Sequence, residues 1–203
     1  MCELMPDWDA KYAAAPEGLF GNAPSQYVRQ IMARRDFKAR SGLCLADGDG
    51  RNSRWLAQQG LAMAAVDLSG VAVVNGQLLD SKAGVYVERT VADLVTWHPP
   101  KQNFDAVFLM YLQAPAQTRL AAISSGWQAV SPGGWFVVEG FAKAQAAGEA
   151  GPGDPDLLYG LEELQRALAG ATIIEALSGR VRLDEGGRHQ GLAEVVRFAA
   201  RKA

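Results

Sequence analysis

The segment Leu45-Ala46-Asp47-Gly48-Asp49-Gly50-Arg51-Asn52 leads an apolar run into a glycine-rich turn and then into helical sequence. Gly48 and Gly50 carry no side chains, so backbone N–H groups there can come close to a ligand. Asp47 and Asp49 stand where a pyrophosphate would approach. Carboxylates at that place repel a diphosphate and suit a sulfonium or an ammonium group. No Gly-Lys-Ser/Thr follows, so the turn is not a P-loop. Asp67 closes the next apolar run about 20 residues on, where an acid in a nucleotide-binding sheet accepts hydrogen bonds from ribose hydroxyls. The pattern points to a ligand with a ribose and a positive charge but no phosphate. Asp93, after Val91-Ala92, is a candidate acceptor for an adenine amino group at the pocket edge.

An alternation of strands and helices has to position these groups. Apolar runs at 43–46, 61–66, 104–112 and 135–138 read as strands, and 85–89 as a further one. Helical spans fall at 52–59, 70–81 and 116–130, with Ser69 as a cap and Gly76 a weak point in the second. Pro132-Gly133-Gly134 is expected to end the third helix. Helical sequence follows at 161–168, then strands at 171–177 and 191–199 joined through Gly186-Gly187. These last two leave no room for a crossover helix, so they should pair antiparallel. The fold class is α/β: a mostly parallel sheet finished by an antiparallel hairpin. Residues 1–40, with a candidate helix at 25–37, read as a cap, and 41–203 as the core of one domain.

The composition excludes several classes. Among 203 residues, Lys and Arg number 20 and Asp and Glu 22, a net charge of −2. That balance provides no drive toward nucleic acid or an anionic membrane. No apolar stretch approaches the roughly 20 residues of a membrane span. Two cysteines rule out a disulfide scaffold, and two dispersed histidines provide no metal-ligand spacing. The expectation is a cytoplasmic protein with a small-molecule partner, monomeric or a weak homodimer.

Ligands in an open α/β sheet bind beyond the carboxyl ends of the parallel strands. Tyr111, Gln113 and Glu139 follow such strand ends, and the hairpin brings His189 toward the same edge. His189 is a candidate to accept a proton or hold an anion, and Glu139 is the carboxylate candidate for a base. Arg182 and Arg188 are candidates to bind an oxyanion. Trp8, Tyr12 and Phe20 of the cap are placed to close the site from above.

Together these residues resemble the class I S-adenosylmethionine-dependent methyltransferases, and within them the small tellurite-resistance and thiopurine methyltransferase-like group. The likeness runs through Trp8-Asp9, Phe20-Gly21-Asn22-Ala23-Pro24, Gly48-Asp49-Gly50-Arg51-Asn52 with Trp55-Leu56-Ala57, Val66-Asp67-Leu68-Ser69, Ala92-Asp93-Leu94 and Ser131-Pro132-Gly133-Gly134. Glu139-Gly140-Phe141, Gln145, Gly151-Pro152, Gly187, His189 and Gly191 extend it to the C-terminal half. It implies a Rossmann-like fold with seven strands and S-adenosylmethionine as cofactor. The cofactor would be held by Ala46, Asp47, Gly48, Asp49, Gly50, Asn52, Asp67, Leu68, Asp93 and Leu94. Three positions depart from the group: Cys44 replaces the usual strand acid, Ala46 the first loop glycine, and Gln113 a frequent histidine. The expected activity is methyl transfer to a soft nucleophile, a chalcogen oxyanion or thiol. The alternatives are a cofactor-binding sensor that transfers nothing and a nucleotide-dependent oxidoreductase.

Overall fold

Seven strands form one sheet in the computed structural model, which describes residues 6–99, 103–144, 151–186 and 189–203. They are β1 (Ser41–Leu45), β2 (Ala62–Asp67), β3 (Val87–Val91), β4 (Phe104–Met110), β5 (Val130–Phe141), β6 (Thr172–Asp184) and β7 (Gln190–Arg201). The order is β3-β2-β1-β4-β5-β7-β6. The first five pair in parallel, and β7 runs antiparallel to both β5 and β6. The chain order reverses beside β1, so the carboxyl ends of β1 and β4 flank a switch point, where open sheets bind ligands.

Helices α1 (Trp8–Ala13), α2 (Gln26–Met32), α3 (Arg51–Gln58), α4 (Gly70–Ala83), α5 (Ala116–Ala129) and α6 (Leu161–Ala167) cover the sheet. Ser25 caps α2, accepting from the N–H groups of Tyr27 and Val28, and Ser69 caps α4 through Ala72. One face of the sheet packs Leu45, Val107, Phe136 and Phe198 with Ile123 of α5 and Leu164 of α6. The other packs Phe108, Val137 and Trp135 with Tyr27, Ile31 and Leu56 of α2 and α3. Central strands buried on both faces explain the uninterrupted apolar runs.

Several boundaries differ from the sequence expectation. Helix α2 stops at Met32 rather than near Phe37, whose ring instead stacks toward Phe108 and Trp135. Pro132-Gly133-Gly134 lies inside β5, which starts at Val130, immediately after α5. Gly133 N–H and Lys202 N–H bond the Lys202 and Gly134 carbonyls, so the segment is held by β7's end. Tyr86 lies outside β3 and is exposed. Irregular sequence near Trp8 forms α1, with Asp7 as its cap. Gln145, Gly187 and Arg188, together with most of the alanine-rich 142–150 segment, lie outside the described residues.

Candidate functional site

The carboxyl ends of β1, β2 and β4 open into a cleft of about 1040 Å³ out to its mouth. Ala46, Asp47, Asp49 and Asn52 line it from the loop, Asp67 and Leu68 from β2, and Asp93 and Leu94 from beyond β3. Met110, Tyr111 and Gln113 line it after β4, Trp8, Tyr12 and Phe20 from the cap, and His189 from the β6–β7 turn. The chain thus brings together most of the residues that the sequence analysis singled out. Four are not brought to the cleft wall as expected. Gly48 and Gly50 shape the turn without lining it. Arg182 is exposed on β6, away from the cleft. Glu139 is buried, and its carboxylate receives hydrogen bonds from Ser25 Oγ (2.7 Å) and Arg197 Nε (2.7 Å). A carboxylate committed to two partners behind the wall is not placed to take a substrate proton, which corrects its expected catalytic role.

Asp67 ties the loop to β2. Its Oδ2 accepts from Gly48 N–H (2.7 Å) and its Oδ1 from Ser69 N–H (2.9 Å). Burial pushes its pKa up to about 6 against those bonds, with Asp47 and Asp49 adding to the rise. Each oxygen keeps a lone pair for a ligand hydroxyl. Asp93 Oδ1 accepts from Val95 N–H (2.9 Å), leaving Oδ2 for a ligand.

The two loop carboxylates have structural partners that the sequence analysis missed. Asp47 pairs with Arg89 Nη1 (2.8 Å) and accepts a hydrogen bond from Ser53 Oγ. The cofactor role expected of its carboxylate is therefore corrected to an inward brace. Arg89 of β3 is buried under the loop and also pairs with Asp80 of α4 (2.7 Å), which Arg54 joins (3.2 Å). A Cβ at Gly50 would collide with the Arg89 guanidinium, and one at Gly76 would lie 2.8 Å from its Nε. Gly76, a weak point by helix propensity, thus makes room for the arginine that braces the loop. Asp49 accepts from Leu19 N–H (2.7 Å) and Asn52 Oδ1 from Ser25 N–H (2.8 Å), so both fasten the cap to the loop. Burial raises the Asp49 pKa. Ala46 adopts the left-handed conformation, φ 51°, at which an L-residue is strained. Cys44 is buried, and burial pushes its thiol well up.

At the other end, His189 packs against aromatic rings: Tyr111 (4.4 Å between centroids), Phe20 (5.1 Å) and Phe141 (5.6 Å). Burial lowers the His189 pKa, and the Arg51 charge adds to the fall, against Glu185. Arg51 Nη2 reaches both Glu185 Oε2 (3.0 Å) and His189 Nδ1 (3.1 Å). Tyr111 adopts φ 56°, a strain held by its N–H bond to the Glu139 carbonyl. Arg51 entered the sequence analysis only as part of the loop motif, and Glu185 carried no signal there beyond its place beside a turn. Among the described residues no cluster of His, Cys, Asp and Glu could hold a metal ion, and no helix is long and apolar enough to cross a membrane.

Comparison with known proteins gives the same frame. A methyltransferase domain model matches residues 43–134. No curated protein sequence matches the chain. Among solved structures, one is of a protein for the conversion of a disulfide bond into a thioacetal group during echinomycin biosynthesis. It has TM-score 0.74 and 20% identity, over 96% of this chain and 90% of that one. A TehB-like S-adenosylmethionine-dependent methyltransferase from Corynebacterium glutamicum has TM-score 0.60 and 20% identity, over 96% and 94%. Magnesium protoporphyrin IX methyltransferase from Synechocystis, with bound S-adenosylhomocysteine, has TM-score 0.65 and 17% identity, over 87% and 80%.

Proposed function

We propose that this chain, an S-adenosylmethionine-dependent methyltransferase by its domain and fold, methylates a small soft nucleophile, a chalcogen oxyanion or a thiol. The residues present fit the cofactor. Asp67 keeps one lone pair on each oxygen for the ribose hydroxyls, and Asp93 Oδ2 is available to the adenine amino group. The carboxylates of Asp49, Asp67 and Asp93 around the cleft suit a cationic ligand. They also disfavour a nucleic-acid backbone, in keeping with a small-molecule acceptor. The cofactor supplies a methyl group on a sulfonium, already activated for displacement. Left to the chain are alignment of the acceptor and exclusion of water, which Trp8, Tyr12 and Phe20 of the cap serve.

The observation that carries the choice of acceptor is the wall around His189. It is aromatic on three sides, and the nearby carboxylates of Glu139 and Glu185 are buried and engaged. An alcohol would need a base there, whereas a thiolate or chalcogen anion needs none. The neighbour concerned with a disulfide and a thioacetal supports a sulfur acceptor. The test is calorimetric titration with S-adenosylmethionine, S-adenosylhomocysteine and, as control, NADH, followed by turnover with tellurite, selenite and thiols. Micromolar binding of the first two, with methylation of one of these acceptors, is expected. Binding of NADH would turn the reading toward an oxidoreductase, and binding without turnover toward a sensor.

A further inference from the structure

The imidazole of His189 has its proton placed by its neighbours. A guanidinium only donates hydrogen bonds, and Arg51 Nη2 lies 3.1 Å from His189 Nδ1. Nδ1 is therefore the acceptor, and the neutral ring carries its proton on Nε2. The competing arrangement is a carboxylate–histidine dyad in which Nδ1–H donates to Glu185 and Nε2 is left as a base. That contact is 3.7 Å, too long for a hydrogen bond. Glu185 is also already engaged, Oε1 by Gln26 N–H (2.8 Å) and Oε2 by Arg51 (3.0 Å). Protonating the ring at Nδ1 would aim an N–H at the guanidinium. The aromatic walls of Phe20, Tyr111 and Phe141 offer an imidazolium little solvation.

We infer that His189 acts as a fixed hydrogen-bond donor to the methyl acceptor through Nε2–H, so the site selects acceptors that arrive already ionised. Arg51 and Glu185 are the positioning residues for that tautomer. The inference rests on the methyl-transfer reading above and narrows its acceptor class. An ionised thiol needs nothing more from the protein. Its lone pair forms the bond to the methyl carbon as the carbon–sulfonium bond breaks and leaves its electron pair on sulfur. The two opposite charges cancel, and no proton has to leave. A protonated alcohol or amine finds no lone pair on Nε2 to receive its proton.

Long-range proton–nitrogen NMR correlation on the ¹⁵N-labelled protein at pH 7 tests the ring directly. The chain has only two histidines, so His189→Gln identifies the signals. The expected result is a neutral Nε2–H ring, and an Nδ1–H ring or an imidazolium would overturn the inference. The second arm measures kcat/KM for methylation of 4-nitrothiophenol, which is ionised at pH 7. His189→Gln keeps a neutral donor at nearly the same place but cannot act as a base. It should lose at most about fivefold, while His189→Phe should lose tenfold or more, the loss of a hydrogen bond to a charged group. Equal losses in the two variants would mean that no hydrogen bond donated at position 189 reaches the acceptor, and would overturn the inference. The ring measurement needs neither cofactor nor acceptor. An Nε2–H ring in a protein that methylates nothing would defeat the functional reading and uphold only the tautomer. Turnover of the thiol with an Nδ1–H ring would do the reverse.

Discussion

On the loop side of the cleft, polar groups find partners within neighbouring strand–helix units: Asp67 with Gly48, Asp47 with Ser53 and Arg89, Arg89 with Asp80. On the hairpin side, partners come from opposite ends of the chain. Ser25 reaches Glu139 across 114 positions, and Gln26 reaches Glu185 across 159. The first region is a set of local contacts on parallel strands. The second exists only when cap, core and hairpin have closed together. Arg51 belongs to both, because it opens α3 yet bonds Ala23, Glu185 and His189. On the function proposed here, cofactor binding and acceptor binding draw on different parts of the fold joined at one helix terminus.

Substitutions at four positions test this contrast. The largest effect is expected for Arg89→Met, which leaves the buried carboxylate of Asp47 without its ion-pair partner and Asp80 with Arg54 alone. It should cost about 3–5 kcal/mol in denaturant unfolding. A loss near zero would mean the loop does not depend on that brace. Asp67→Ala should weaken S-adenosylmethionine binding by about 1–3 kcal/mol by calorimetry, without touching the hairpin side.

The same group sets a pH dependence. With its folded pKa near 6, the Asp67 carboxylate is ionised above that value and takes up a proton below it. Only the ionised form accepts from both ribose hydroxyls, so affinity should fall as pH drops from 7 to 5. Asp67→Asn should bind weakly and show no such fall. The folded pKa exceeds the unfolded value of about 3.9, so this group's ionisation opposes folding increasingly as pH rises between the two. Acidification across that window should narrow the stability gap between wild type and Asp67→Asn while cofactor affinity declines.

Ser25→Ala probes the other region. It removes the cap of α2 and the bond to Glu139, and should cost about 1–2 kcal/mol of stability while changing cofactor affinity less than Asp67→Ala does. An equal loss of affinity would show that the two regions are coupled more tightly than their contacts imply. The smallest effect is expected at Ala46, held at φ 51°. Ala46→Gly should relieve the left-handed strain, offset in part by unfolded-chain entropy, for a gain of about 0.5–1 kcal/mol in thermal unfolding.

The loop side was legible in the sequence because its contacts follow chain order. Strand, turn and helix at 43–58, and the acids at 67 and 93, recur at spacings that a parallel sheet dictates. The antiparallel hairpin could be read from the short connection at Gly186. Misreadings came where a residue's partner lay far off. Asp47 has the spacing of a ligand contact, but Arg89 claims it. Glu139 ends a strand as a catalytic carboxylate would, but Ser25 and Arg197 hold it. Gly76 weakens a helix by propensity, yet the space it leaves is filled by an arginine from β3.

Local sequence is enough to set the alternation of apolar strands and helices, the glycine turn and the acids at the strand ends. These are local, since hydrophobic period and turn chemistry act within a few residues. Tertiary packing decided which carboxylates face the cleft and which brace the fold. It also brought His189 Nδ1 against the Arg51 guanidinium. Both depend on partners brought together from distant segments, and burial of a charge is tolerated only where such a partner meets it.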